Sequence, residues 1–395
     1  MVGQATAVKT LIVNCNRIVS GDLSHPFAEG DSILVSSGQV EAIGERAALL
    51  GESPTTIVNA NGQTAVPGLI DTHIHPSWGD WTGRMNAQGW LAAYGQAGIT
   101  TLISHGAFNI DGYPADAAGM VALGITLARS FARDWRPGGV KVIGATISLV
   151  DGLLDDDFAV MAREGVSLIS EIGVRSIADP VGVREMLQTA HKHGFISRVH
   201  FGPASIAGSH SIDAAAAFQM GGHIIAHVNG GPTSASQEDV DFIFDNTRCA
   251  LELNYSGNLR MLLHVARRAR DSGTLERLMI GTDTPSGTGI APRAIARACA
   301  WLSSILDIPP ELALAIASGN AANAYRLNRG KLAPGREADI LLMDAPKDSS
   351  ATDALDALRI GDIPAVGMLM VDGAIVSLQC RNTPPPKHVA AVSPV

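Results

Sequence analysis

Eight short apolar runs recur along the middle of this chain at intervals of roughly 25–40 residues, and no other feature constrains its fold as tightly. They are VPGLIDTHIH, ITTLISHG, VKVIGATI, VSLISEIG, FISRVHFG, HIIAHVNGG, CALELNYSG and LMIGTDTP. Helix-type segments separate them, among them MNAQGWLAAYGQAG, PVGVREMLQTAHKHG and SGNLRMLLHVARRARDSG. Strand and helix alternating in this way favour an α/β fold, a (β/α)8 TIM-like barrel, over an open doubly wound sheet. No dinucleotide-type GxGxxG follows the first run, and no P-loop occurs.

The two ends of the chain read differently. TLIVNCNRIVSG, DSILVSSGQVEAIG and TTIVNANGQTAV at the front, and GKLAPGREADILLMDA and VGMLMVDGAIVSLQ at the back, are short alternating strands with turns. The expected division is therefore a small β-sandwich domain assembled from residues 1–65 plus 329–380 and a barrel over 66–328. A Pro-rich extended tail over 381–395, suited to lying on a neighbouring subunit, completes it. A length of 395 residues fits this division, since a barrel alone takes about 250.

Charge and cysteine usage narrow the partners. A net charge of −9 argues against an electrostatic grip on nucleic acid or an anionic membrane and leaves a small-molecule substrate. Apolar residues at 46% and charged residues at 17% describe a well-buried enzyme rather than a disordered chain. The cysteines Cys15, Cys249, Cys299 and Cys380 lie far apart, with no CxxC pair. They form neither a disulfide framework nor a thiolate zinc site, so a reducing cytoplasm is expected. No apolar run approaches the ~18 residues of a membrane span, and the N-terminus lacks a signal-type core.

In a barrel the chemistry gathers at the C-terminal ends of the strands. Those ends carry His73 and His75 on the first run, Glu171 on the fourth, His200 on the fifth, His227 on the sixth and Asp283 on the eighth. His73 and His75 are two apart on a strand, so both point to one face and can grip one cation from one side. A single strand-end histidine is ordinarily a hydrogen-bonded structural residue, but six nitrogen and oxygen donors at successive strand ends point to metal. Imidazole and carboxylate without thiolate suit zinc, iron(II), manganese or cobalt. Glu171 could bridge two cations as a shared anion, or pair with Arg175 or Arg198. The other histidines are read as structural: His191 and His193 at a helix end, His223 at the start of its strand, His25, His264 and His388 outside the site, and His210 in a loop after the fifth strand that could approach the pocket but is expected not to serve it.

The run VPGLIDTHIHP, with its HxH, resembles the opening strand of the amidohydrolase superfamily, and GKLAPGREADILLMD resembles that family's return to its β unit. Within the superfamily the enamidase branch is most similar. It shares DAAG at 116–119, GVKV at 139–142, AHKHGF at 190–195, NGGPT at 229–233, PSGTG at 285–289, RIGDIP at 359–364 and RNTPP at 381–385. This resemblance spans nearly the whole chain. It implies a binuclear zinc and iron(II) centre, no organic cofactor, a homotetramer, and hydrolytic opening of a cyclic amide such as 6-oxo-tetrahydronicotinate. It also implies a bridging glutamate, here Glu171, where many relatives use a carbamylated lysine. Lys141, the lysine candidate, begins the third strand at the wrong end of the barrel. His73, His75 and Asp283 would hold one metal and His200 and His227 the other. A water made acidic by both cations would attack the carbonyl, with Asp283 as the proton shuttle.

Positions expected to wall the substrate pocket depart from the family's pattern. His105 replaces a small residue, Arg175 stands where glycine is usual, Phe201 where a small polar residue is usual, and Asn254 and Tyr255 differ as well. His105 could bond a backbone carbonyl or touch substrate. Arg175 could be a solvated rim charge or a bidentate carboxylate receptor. Arg84, which matches the family, is the other candidate for that task, and Tyr255 is either a donor to a carbonyl or a packed aromatic. Two further functions stay open: hydrolysis of another carboxylated amide such as an N-acyl amino acid or imide, and a non-catalytic scaffold. Deamination fits less well, because HVNGGPTSAS offers no acid before Glu238.

Overall fold

The computed structural model describes residues 9–76, 83–106, 112–132, 137–204, 206, 208–285 and 289–395, with 83–88 and 137 by their backbone alone. All eight apolar runs form parallel strands: β1 Leu69–Ile74, β2 Ile99–Ser104, β3 in two pieces Lys141–Ile143 and Thr146–Ile147, β4 Leu168–Ile172, β5 Ile196–Val199, β6 Ile224–Ile225, β7 Ala250–Asn254 and β8 Leu278–Gly281. The first piece of β3 pairs with β2 and the second with β4, so the strand hands the sheet on across Gly144 and Ala145. From β4 the order runs unbroken to β8. The ring closes between β8 and β1. There the Asp283 N–H donates to the His73 carbonyl at 2.9 Å, the His75 N–H donates to the Thr284 carbonyl at 2.7 Å, and Ile74 and Thr284 form a parallel bridge.

A helix follows each strand: α1 Gly83–Gly95, α2 Ala117–Phe131, α3 Asp155–Arg163, α4 Pro180–Lys192, α5 Ala214–Met220, α6 Gln237–Asn246, α7 Leu259–Asp271 and α8 Ala294–Leu306. Their starts were written in the sequence. Asp116, Asp179, Asp213, Ser236 and Asn258 each cap a helix, their side chains accepting from the N–H three residues on. Helix α7 shows the packing logic. Met261, Leu262, Val265, Ala266 and Ala269 recur at helical spacing and are buried against the barrel, while its arginines lie along the other face.

The barrel is a filled core. Ile70, Leu168, Ile196, Ile224 and Met279, from the N-terminal halves of their strands, close on Ala321, Ala322 and Tyr325 of the segment after α8. The floor is therefore sealed, and the functional side chains are confined to the opposite mouth. Arg198 on β5 is fully buried there and donates to the carbonyls of Ile169 and Ser104.

Strands from both chain ends form two further sheets. One orders Ala391–Pro394, Thr56–Asn59, Lys9–Val13, Ser32–Ser36 and Gln39–Gly44; the other orders Ala374–Leu378, Ala365–Val371, Ile340–Asp344, Thr64–Pro67, Arg17–Val19 and Phe27–Ala28. Ile12, Ile33, Val35 and Val58 of the first share a buried cluster with Ile18, Ala65, Ile340, Leu342, Met368 and Met370 of the second. The segment 381–395, expected as an extended tail for a neighbour, ends as a strand on its own chain, antiparallel to Thr56–Asn59. An edge strand with unpaired N–H and C=O groups recruits such a partner.

At the barrel's N-terminal rim, His191 Nε2 lies 2.9 Å from Ser197 Oγ and its ring packs on His223 with centroids 4.0 Å apart. Burial, His223 and Arg326 push His191 down to about 4 from an ordinary 6.5. The folded chain thus keeps the ring neutral where the unfolded chain would protonate it. This contribution to stability is complete above pH 6.5 and is lost as pH falls towards 4. We expect the melting temperature to drop between pH 7 and pH 5, and His191→Gln to drop less over that interval, as followed by circular dichroism.

Candidate metal centre

The six strand-end residues converge. On β1 the period-two alternation puts His73 and His75 on one face, their Nε2 atoms 3.0 Å apart. Glu171, on β4, directs Oε2 at this pair, 3.5 Å from His73 Nε2 and 4.0 Å from His75 Nε2. Its other oxygen, Oε1, faces the second pair, meeting His200 Nδ1 at 2.9 Å and His227 Nε2 in a shorter contact. His200 Nδ1 and His227 Nε2 lie 3.1 Å apart. Asp283 brings Oδ1 to 3.0 Å from His75 Nε2 and 3.6 Å from His73 Nε2. Glu171 thus lies between two histidine pairs with one oxygen given to each. It makes no ion pair with Arg198, whose guanidinium goes to carbonyls, and Arg175 is exposed on the rim.

The backbone at these strand ends is unusual. His227 at φ +33° and Asp283 at φ +56° occupy the left-handed region, where side chains other than glycine persist only when their surroundings hold them. The second ring nitrogens of three of the four histidines are also committed, while His227 Nδ1 has no hydrogen-bond partner among the described residues. His75 Nδ1 meets the Gly106 carbonyl at 3.1 Å, His200 Nε2 meets the Pro203 carbonyl at 3.3 Å, and His73 Nδ1 meets Glu252. Such outer bonds fix the tautomer that points a lone pair inward.

Electrostatics follows from this packing. Burial opposes charge on His73, but Glu252, Asp283 and Glu171 outweigh it and hold its pKa well above the ordinary value. Burial likewise opposes charge on His227, and Glu171 raises it. Glu171 is held well below the usual carboxylate range against its burial, by His227, His200 and His73. Asp283, also desolvated, is lowered by His73 and His75. Without a cation these shifts favour protons on imidazoles beside carboxylates, and a divalent ion held by the same residues would take the place of those protons. The triads His73–His75–Glu171 and Glu171–His200–His227 each bring their donor atoms within 4.8 Å of one another, a set that fits divalent metal. At 17% side-chain exposure Asp283 is the most open member, where His73 is at 0% and His75 at 8%.

The residues expected to wall the pocket divide. His105 is not on a wall. It is fully buried, its ring stacked on His73 with centroids 3.5 Å apart and an interplanar angle of 17°, and neither ring nitrogen makes a hydrogen bond among the described residues. Burial, Arg198 and His73 keep it neutral, with its pKa well below 6.5. Phe201 and Asn254 are buried. Tyr255 is half-buried and stacks on Trp301 at 5.3 Å, a packed aromatic. Arg175, at φ +45°, is exposed and lines a cavity of about 410 Å³ with Tyr113, Asp151 and Ser176, beyond the ends of β2, β3 and β4. Arg84 lies near the start of α1, and its side chain falls outside the described residues.

Sequence reasoning missed Asp71 and Glu252, both fully buried. Asp71 accepts from the N–H groups of His73 and Thr282 and from the Thr282 hydroxyl, tying β1 to β8 beneath the site, and burial lifts it to about 7. The available signal was an acid inside an apolar strand, LIDTHI or LELN, in a barrel that buries both faces.

The protein thus places a carboxylate between two histidine pairs at the mouth of a parallel barrel. The chain belongs to the amidohydrolase family, whose model matches residues 64–380. Enamidase from Eubacterium barkeri is 42% identical over 384 residues, 97% of this chain and 99% of that protein. The crystal structure of enamidase matches with a TM-score of 0.93 at 42% identity, covering 98% of this chain and 100% of that one. The structure of a putative prolidase from Bifidobacterium longum, 18% identical with a TM-score of 0.62, covers 95% of this chain and 96% of its own and shares the fold alone. The resemblance read from the HxH strand and the scattered shared stretches is thereby shown.

Lys141 is excluded from the cage by its place at the start of β3. Its ammonium is buried among Glu337 at 2.6 Å, Asp339 at 2.8 Å and Asp372 at 2.5 Å. Removing the cation strands these acids, so Lys141→Met is expected to cost about 3–5 kcal/mol in denaturant unfolding. Bound metal per chain stays unchanged; a loss of metal would mark Lys141 as a ligand instead.

Proposed function

We propose that the chain hydrolyses a cyclic amide at a centre of two divalent ions, zinc or iron(II), held by His73, His75 and Asp283 on one side and His200 and His227 on the other, with Glu171 shared. The observation that carries this reading is the division of the Glu171 oxygens, one to each histidine pair. Two bound cations would supply acidity to a water and polarise the amide carbonyl. The small β-sandwich (1–65 plus 329–380), the barrel (66–328), the segment 381–395, a homotetramer and a cytoplasmic location belong to the same reading. The hydrophobic cluster common to both terminal sheets supports the sandwich.

The residues' own tasks follow from their positions. Asp283, ionised and the most open of the six, takes the proton from the attacking water and passes it to the nitrogen as the C–N bond breaks. Oxygen from water ends in the new carboxylate, and the proton on the departing nitrogen. Arg175 has no carboxylate partner among the described residues, and its guanidinium fork suits a substrate carboxylate at the rim. Arg84 is the second candidate for that contact, and Tyr255 a candidate wall residue. His105 supports His73 from beneath rather than touching substrate.

The altered rim keeps a second reading in view, another carboxylated amide such as an imide or N-acyl amino acid. A panel of 6-oxo-tetrahydronicotinate, other carboxylated lactams, imides and N-acyl amino acids, followed by ammonia or carboxylate release, separates the two. On the best substrate, Asp283→Asn should keep its fold and lose about 10²–10⁴-fold in kcat. Turnover near the parent's rate would show the proton shuttle to lie elsewhere.

A further inference from the structure

On the edge of the His73 ring opposite Glu171 lies a second carboxylate with no solvent contact. Glu252 is the third residue of β7, between Leu251 and Leu253, and is fully buried. Its Oε1 accepts from His73 Nδ1 at 2.6 Å and from the backbone N–H of His227 at 3.2 Å. Its Oε2 accepts from the Thr72 hydroxyl at 2.8 Å and lies 3.8 Å from His105 Nε2.

Core packing does not call for this residue. A leucine would fill similar space without the desolvation of a buried anion, and replacing buried charge by apolar volume is commonly neutral or stabilising. What the carboxylate adds is direction. A proton held on His73 Nδ1 leaves the Nε2 lone pair on the edge that faces His75, Glu171 and Asp283. The same oxygen anchors the backbone of His227, a residue in the left-handed region that needs outside support. His73 and His227 belong to different histidine pairs, so one side chain serves both halves of the cage. His105 covers the flat face of His73 by stacking, and neither of its ring nitrogens makes a hydrogen bond among the described residues.

We propose that Glu252 is the positioning residue of the metal centre: it fixes the tautomer and tilt of His73 and the backbone of His227, so that both pairs keep their aim at Glu171. It touches neither substrate nor metal. The proposal rests on reading the six-residue cage as a metal site.

The test strips the full-length protein of metal and titrates it with Zn²⁺ against a competing chelator, for the parent and for Glu252→Gln. Zinc binding should weaken by about 10–100-fold, the usual scale for losing an outer carboxylate behind a ligand histidine. The visible spectrum of the cobalt-loaded variant should change as well. The stripped variant should melt below the stripped parent, because glutamine leaves His73 without its counter-charge, and zinc affinity is compared where both stripped forms are folded. Zinc affinity and cobalt spectrum equal to the parent's would overturn the proposal. Should Glu252→Gln fail to fold, Thr72→Val removes only the hydroxyl bonded to Oε2. A smaller loss of zinc affinity is then expected, and an unchanged affinity counts against the role. A parent that bound no zinc, iron(II) or cobalt would overturn the metal reading itself, and this proposal with it.

Discussion

Glu171 places one negative charge among four buried imidazoles, and the rest of the structure can be read as what that arrangement requires. A carboxylate at 5% side-chain exposure is stable only where donors or cations surround it. The donors come from four strands, β1, β4, β5 and β6, that are neighbours only in a closed ring or in its continuous half. An open sheet would leave β1 at an edge, away from β4 to β6. Closure between β8 and β1 therefore serves the site as much as the fold, and Asp71, bonded to Thr282 across that seam, lies directly beneath His73.

Support for the cage is layered. Gly106, Pro203 and Glu252 each accept from a second ring nitrogen, so ring orientation is set by groups that no substrate contacts. Beneath them, Arg198 is spent on the carbonyls of Ile169 and Ser104, and Tyr325 plugs the floor. Lys141 draws Glu337, Asp339 and Asp372 against the barrel's N-terminal rim, joining the terminal strands to the barrel at the end opposite the chemistry. The two ends of the barrel have separate tasks, stability at one and reactivity at the other.

Much of this was legible in the residues. Eight apolar runs gave the strands, the segments between them gave the helices, and the strand ends carried the six cage residues. What escaped depended on three-dimensional contacts. Glu252 and Asp71 sit within apolar strands, where an acid stands out but its task does not, and only the barrel's closure brings their partners to them. His105 follows a strand as a ligand would, yet its ring turns inward onto His73, a choice made by packing. The pairing of Ala391–Pro394 with Thr56–Asn59 joins residues more than three hundred positions apart and leaves no trace in either segment. Tyr255 read equally well as donor or wall until Trp301 was found against it.

Whether Glu171 is shared between two metal ions decides the proposed function. Crystals of metal-loaded protein, measured by anomalous diffraction at the zinc and iron edges, address it directly. Two anomalous peaks about 3.5–4 Å apart are expected, one beside His73, His75 and Asp283 and the other beside His200 and His227, with one Glu171 oxygen directed at each. A single peak, or a Glu171 carboxylate turned away from both, would contradict the sharing.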